Sequence, residues 1–312
     1  MTNSRVSVVL MAMGGPDCLE NVEPYLLDVR GGRPTPPEIV EEIRERYRAT
    51  GGCSPVPGIM ASVAAKLEAA RPGISVVVGM RHWRPRIYEA WVQAVATGPG
   101  RIVAICMAPH NSEMTVGKYL AILAEGRDRA GGAEIPVRAV RSWATHPKLV
   151  EALTDTVVAG LDRFPDVDRA GVPVLFTAHS LPERVVGTGD PYPAEVRSTV
   201  RAVSDALQER EGSYRHHRFA YQSQGRSSEP WLGPTVEESL KELAAEGHAT
   251  VLVAPIGFLS DHVEVNYDID IEFKALGADL GLRLERTPML NDSDALVDIL
   301  ATLVDEQLAF TG

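Results

Sequence analysis

Three carboxylates recur at four-residue intervals behind a histidine: His262, then Glu264, Asp268 and Glu272. They follow an apolar stretch directly. Such a row on one helix face is costly unless it meets water, cations or protons. In a regular α-helix, residues four apart drift slowly round the axis. A wider turn brings them closer to a single line, and such turns are frequent at functional sites. The row can pass a hydrated divalent cation inward or protons outward. The alternative is a solvated helix face. Two details oppose that alternative: Asp270 falls on another face, and Phe258 with Leu259 implies partial burial. Asp261-His262 is either a pair that supports the carboxylates or a helix cap.

A second imidazole stands far upstream. His179 closes the run Phe176-Thr177-Ala178-His179, where the active site of a parallel sheet belongs. There an imidazole accepts a proton or binds a borderline metal. A lone histidine is also commonly a hydrogen-bonded structural residue. His179 plus one carboxylate does not close a zinc site, and no cysteine contributes. His82, His110 and His146 are scattered. A Ser-His-Asp hydrolase could use Ser180 or Ser260, but no G-x-S-x-G elbow occurs, and Ser180 adjoins His179 directly.

The elements that must position these groups are α/β. Strand candidates are Val6–Met13, Ile74–Met80, Arg101–Met107 and Pro136–Val140, then Val172–Ala178, His217–Tyr221, Thr250–Pro255 and Leu282–Arg286. Helical patterns cover Glu38–Ala49, Arg84–Ala96, Thr199–Arg210, Thr235–Glu246 and Asn291–Leu303. Near-continuous apolar strands alternating with helices predict parallel sheets covered on both faces. An Ala-Pro switch at Ala108-Pro109 returns at Ala254-Pro255, a weak internal repeat that supports two similar domains. We place them at 1–160 and 161–312.

With 312 residues, 45% hydrophobic and 23% charged, the chain suits two packed domains. A formal net charge of -11 argues against a grip on nucleic-acid phosphates. No apolar stretch is long enough to cross a bilayer, and a cytoplasmic location without stable membrane insertion is expected. Cys18, Cys53 and Cys106 form no close ligand motif and do not describe a four-cysteine iron–sulfur site. Neither Gly-rich nucleotide motif occurs. Gly51-Gly52-Cys53-Ser54-Pro55 offers free backbone amides or simply ends a helix. Arg30 to Arg33 is a basic turn able to hold a carboxylate. Arg44, Glu45, Arg46 and Arg48 fit a solvated helix face. Trp231, framed by Pro230 and Gly233-Pro234, walls a flat ligand or plugs the core. Gly14-Gly15 after Met13 implies a close backbone approach or unusual dihedrals.

Taken together these segments resemble the ferrochelatase family, in its soluble bacterial form. The resemblance rests on Met13-Gly14-Gly15-Pro16, Gly51 to Pro55, Ala108-Pro109-His110, His179-Ser180-Leu181-Pro182, Gly189-Asp190-Pro191-Tyr192, Tyr221 to Gly225, Trp231 to Pro234 and Phe258 to Glu264, in the family's order over nearly the whole chain. It implies two Rossmann-like domains, each with a four-stranded parallel sheet, and a porphyrin cleft between them. It also implies insertion of ferrous iron into a free-base porphyrin with loss of two protons. His179 and Glu264 would be the catalytic pair, with Asp268 and Glu272 continuing the acidic path. Iron and porphyrin are then substrates, and neither a redox cofactor nor an iron–sulfur cluster is expected.

The coproporphyrin III branch of the family is similar at Arg30, Arg46, Ser54 and Tyr119, positions that contact propionates there. The hydrophilic stretch Arg33 to Arg48 stands where membrane-bound relatives carry an apolar lip. Met13 departs, because coproporphyrin-type enzymes usually place a tyrosine there. The reading is insertion into coproporphyrin III, with protoporphyrin IX as the alternative. Another tetrapyrrole chelatase and a non-catalytic tetrapyrrole carrier are the remoter readings. A ferrous iron donor and a downstream heme-pathway enzyme are the expected partners of a monomer.

Overall fold

The computed structural model describes residues 5–212 and 215–309. In chain order the elements are β1 (Val6–Ala12), α1 (Val22–Val29), α2 (Pro37–Ala49), α3 (Val56–Ala70), β2 (Ile74–Met80), α4 (Ile87–Ala96), β3 (Arg101–Cys106), α5 (Val116–Ala130) and β4 (Val137–Val140). They continue with α6 (Pro147–Leu161), β5 (Val174–His179), α7 (Arg184–Gly187), α8 (Tyr192–Glu211), β6 (His217–Gln222), α9 (Val236–Ala245), β7 (Thr250–Ala254) and α10 (Val263–Asn266). A π-helical segment (Asp268–Phe273), α11 (Lys274–Asp279), β8 (Arg283–Arg286) and α12 (Asp294–Ala309) complete the described chain. No helix among the described residues is long and apolar enough to cross a membrane.

The chain forms two four-stranded sheets, ordered β2-β1-β3-β4 and β6-β5-β7-β8, with every pairing parallel. The two orders are the same pattern, so the Ala-Pro switch noted in the sequence follows the equivalent strands β3 and β7. Central strands are apolar on both faces because helices cover both. Val8 to Met11 of β1 and Val251 to Val253 of β7 are fully buried. Edge strands β2 and β4 are only partly buried, as the uncovered edge of a parallel sheet must be. In each sheet the order reverses beside the first strand, between β1 and β3 and between β5 and β7. These are the switch points where loops at the carboxyl ends of strands diverge and leave room for a ligand.

The sequence-based boundary at residue 160 is corrected. One unit comprises residues 1–143 with 291–312, the other residues 144–290. Helix α6, assigned from sequence to the first domain, packs on α8 and β7 of the second unit. Helix α12, assigned to the second, returns to α3 and β4 of the first. There Arg71 on the turn after α3 pairs with Asp305 at 2.6 Å, and Arg101 donates to the Leu308 carbonyl at 3.3 Å. An amphipathic helix shows that it will cover a sheet but not which sheet. The assignment of α12 has a test. Leu300 is fully buried, so Leu300→Ala should cost ~2–5 kcal/mol. Hydrogen exchange should then accelerate in α3 and β4 and remain unchanged in β5 to β7. Acceleration confined to β5 to β7 would refute the assignment.

Candidate active site

His179 is the last residue of β5, at the switch point of the second sheet. Two bonds place its ring. The imidazole Nδ1–H donates to the Ser180 carbonyl, and the buried Tyr192 hydroxyl donates to the His179 carbonyl at 2.8 Å. A proton held on Nδ1 leaves Nε2 with its lone pair in the neutral ring. Nε2 faces Glu264 Oε1 at 3.5 Å.

Glu264 arrives on the segment after β7. Gly257 makes that arrival possible. Its N–H donates to the Thr177 carbonyl of β5 at 3.1 Å, and a Cβ there would lie 2.6 Å from the Ala178 Cβ. Only a residue without a side chain lets this loop close on β5. Phe258 follows and packs edge-on to His179, with ring centroids 6.4 Å apart, and against His262 at 4.7 Å. His262 stands at the N-cap position of α10, yet its side chain caps nothing. Its Nε2 lies 3.4 Å from Glu264 Oε2. Glu264 therefore lies between two imidazoles. Its backbone is fixed as well, since Gln222 donates to the Glu264 carbonyl at 2.8 Å and accepts from Thr177 at 2.6 Å.

The carboxylate row runs into a wider turn, as its spacing allows. Through Asp268–Phe273 the helix is π, and Glu272 N–H donates to the Tyr267 carbonyl five residues back at 3.1 Å. Asp268 is buried and accepts from the Ser223 hydroxyl at 2.6 Å. Ser223 holds φ 57, a left-handed conformation uncommon for a non-glycine residue and frequent at functional sites. Glu272 is exposed. Asp270 faces elsewhere, to Arg286 of β8 at 2.8 Å, and the same guanidinium lies 3.2 Å from Asp261. Arg286 thus holds both sides of the acidic segment from outside the row.

The charges follow from these neighbours. Burial opposes ionisation of His179, but the Glu264 carboxylate outweighs it and holds the imidazole pKa above 6.5. Burial likewise opposes ionisation of Glu264, and His179 and then His262 overcome it, holding the carboxyl well below its usual range. Gln222 and Ser223 were not assigned these contacts from sequence, whereas His262 takes the supporting position that was one of its two expected roles. Gln222 ends strand β6 and Ser223 follows it, and position at a strand's carboxyl end was the available signal. Ser180 is excluded as a nucleophile: it is buried and donates to the Leu232 carbonyl at 2.8 Å. Trp231 leans over Gly225, and its indole N–H donates to Ser227 at 3.0 Å.

The remaining sequence candidates lie in the first unit. Met13, just past β1, is 42% exposed. Gly14 adopts φ 89, and a Cβ on it would strike Trp83, so both expected reasons for a glycine hold there. Ser54 is buried, its N–H donating to the Pro16 carbonyl at 2.7 Å. Arg30 is exposed at the C-cap of α1. Arg46 on α2 is half-buried beside Glu42 at 3.5 Å. Tyr119, expected at a propionate from the resemblance, is a core residue. It is 4% exposed inside the core that Val9, Met11 and Trp91 help to build, under the Arg81 guanidinium, and burial raises its pKa. His82 bonds Asp28 at 2.8 Å, and burial pushes His110 down to about 3, so neither joins the pair in the second unit.

The two like-ordered parallel sheets define a chelatase fold. SirB from Bacillus subtilis, in a structure with Fe3+, superimposes with a TM-score of 0.62 over 98% of this chain and 96% of its own at 12% identity. A second SirB structure, a sirohydrochlorin chelatase in complex with cobalt, gives 0.57 over 97% and 95% at 11% identity. At such identities the likeness concerns the fold alone. The ferrochelatase family profile matches residues 5–308. A ferrochelatase from Herpetosiphon aurantiacus is 41% identical over 98% of this chain and 100% of its own length. A coproporphyrin III ferrochelatase from Geobacillus thermodenitrificans is 33% identical over 100% and 99%. This chain belongs to the ferrochelatase family.

The ion pair has a defined pH window. The folded pKa of His179 lies above 6.5, so its stabilisation is complete below pH 6.5 and is lost as pH rises through the folded value. That of Glu264 lies below 4.5, so its stabilisation is complete above pH 4.5 and is lost as pH falls through the folded value. Both are complete between pH 4.5 and 6.5. Glu264→Gln should lose most stability relative to the parent in that interval. Nitrogen NMR of the His179 ring should show its titration moving downward in the same variant. An unmoved titration would remove Glu264 as the cause.

Proposed function

We propose that this ferrochelatase inserts ferrous iron into coproporphyrin III, with His179 as the proton acceptor and Glu264 as the inner carboxylate from which the cation passes to the ring. The observation that carries the mechanism is the Glu264 carboxylate set between His179 and His262. In the resting pair Glu264 holds His179 toward its protonated form. A cation approaching Glu264 neutralises that influence, and the burial that remains favours the neutral imidazole. The proton that His179 gives up leaves by way of Asp268 and Glu272. Nε2 then takes the first pyrrole proton, releases it by the same route and takes the second. Two protons leave the ring as iron enters, so the charge of the macrocycle site is conserved. Asp268, kept in place by Ser223, and exposed Glu272 would carry protons away or hydrated iron in. No step requires a redox cofactor.

The choice of ring rests on donors for propionates. Arg30 and Arg46 supply guanidinium forks, which suit carboxylates better than ammonium does, and Ser54 adds a hydroxyl. The relatives named coproporphyrin III ferrochelatase support this reading. Protoporphyrin IX is the second reading. Exposed Met13 favours it, with Leu27 and Val29 of α1 also exposed beside Arg30. These are apolar surfaces suited to vinyl edges.

Anaerobic insertion assays should show faster turnover with coproporphyrin III than with protoporphyrin IX, and the reverse order overturns the ring assignment. His179→Ala and Glu264→Gln should each reduce kcat by about 10²–10⁴-fold, the span of a positioned acid–base group. Asp268→Asn should slow turnover less, because it acts on transport. Near-normal turnover in His179→Ala defeats its role. Arg30→Ala should raise KM for coproporphyrin III more than for protoporphyrin IX.

A further inference from the structure

At the opposite end of the second sheet, a second group of metal-competent side chains has no part in the chemistry above. His216 immediately precedes β6, and His248 precedes β7 by two residues. Glu246 ends the helix that links them. One ligand atom from each residue lies within 4.8 Å of the other two. His216 Nδ1 is 3.1 Å from His248 Nε2, and Glu246 Oε2 is 3.9 Å from that same Nε2. Four ligands at about 2.0–2.1 Å around zinc sit roughly 3.3 Å from one another. The trio is therefore close to the spacing that a tetrahedral cation imposes, with side-chain rotations needed to turn the donor atoms toward one point.

The surroundings support ligation. Arg218 pairs with Glu246 Oε1 and so orients the carboxylate, leaving Oε2 toward the histidines. Two imidazoles and one carboxylate suit a borderline divalent cation of the zinc, cobalt or nickel type. The position is separate from the insertion pair. β5 and β6 are in register from Val174 and His217 at one end to His179 and Gln222 at the other, and Val174 N–H donates to the His216 carbonyl. Six strand residues separate the two ends by roughly 15–20 Å.

We propose that His216, Glu246 and His248 form a divalent transition-metal site that clips the start of β6 to the entry of β7. A cation there closes the β6–α9–β7 crossover at its open end and stabilises the second unit without taking part in insertion. The clip is independent of the assignment of His179 and Glu264.

Cobalt(II) is the probe, since imidazole ligation gives it visible absorption. Binding is measured on the full chain carrying His179→Ala and Glu264→Gln, which silences the insertion pair. One equivalent should bind with a visible band. Adding His248→Gln should abolish the band, and adding Glu246→Gln should weaken binding tenfold or more. On the otherwise native chain, zinc should raise Tm, and His248→Gln should remove that rise while leaving iron insertion within about twofold of the parent. Glu246 is exposed, so its variant keeps the test valid if a histidine variant fails to fold. No cobalt binding by the silenced chain, or undiminished binding in both variants, overturns the clip.

Discussion

The carboxylate of Glu264, held between His179 and His262, is the interaction on which the site depends. A carboxylate in a partly buried setting tends to take up a proton, and an imidazole there tends to lose one. Placed together, each reverses the other's tendency. The arrangement needs close placement of two segments distant in sequence, and the second sheet supplies it. His179 ends β5 and Glu264 follows β7, neighbouring parallel strands whose loops both leave from the carboxyl end. Gly257 lets the second loop lie against the first, and Gln222 locks the Glu264 backbone from the other side. Site geometry is thereby built from a backbone contact at the strand ends and from the Gln222 side-chain amide that joins Thr177 to the Glu264 carbonyl.

Behind the pair, the π-helical segment gives the acidic row its direction. A wider turn brings residues at four-residue intervals closer to one line than an α-helix does. Along that line Glu264 is part-buried, Asp268 buried and Glu272 exposed, so Asp268 is the covered member of the row. A buried carboxylate needs hydrogen-bond donors, and Ser223 provides one from a left-handed backbone conformation. Asp270 interrupts the spacing and is turned to Arg286, which keeps that guanidinium off the row itself.

Much of this was legible in the chain. All eight strands were placed within about two residues, because strands buried on both faces read as apolar runs. The pairing of His179 with Glu264 came from family resemblance, since spacing alone left both open to structural roles. The domain of α12 was not legible, because amphipathicity carries no address. Nor was the burial of Tyr119, a residue with one polar atom on a large apolar ring, at home in a core or at a ligand. α3 gave a weak signal: Pro57 and Gly58 sit in its first turn, where proline is tolerated. His216 and His248 escaped notice because metal motifs are sought at short spacing, while a crossover connection brings together residues 32 apart.

The polarity of parallel sheets explains how one unit can hold two metal-competent centres without mixing them. All strands of the second sheet point the same way, so every loop after a strand gathers at one end and every loop before a strand at the other. At the carboxyl end, Glu264 is shared between two imidazoles, which on the proposed function suits a cation that leaves again into a ring. At the amino end, two imidazoles lie in direct contact and Arg218 anchors the carboxylate. That donor set favours retention, as nitrogen ligands hold borderline cations more firmly than a lone carboxylate does. A ferrochelatase must keep its substrate ion loosely bound, and on the two proposed assignments the ends of this sheet would divide loose from firm ligation by chemistry as well as by distance.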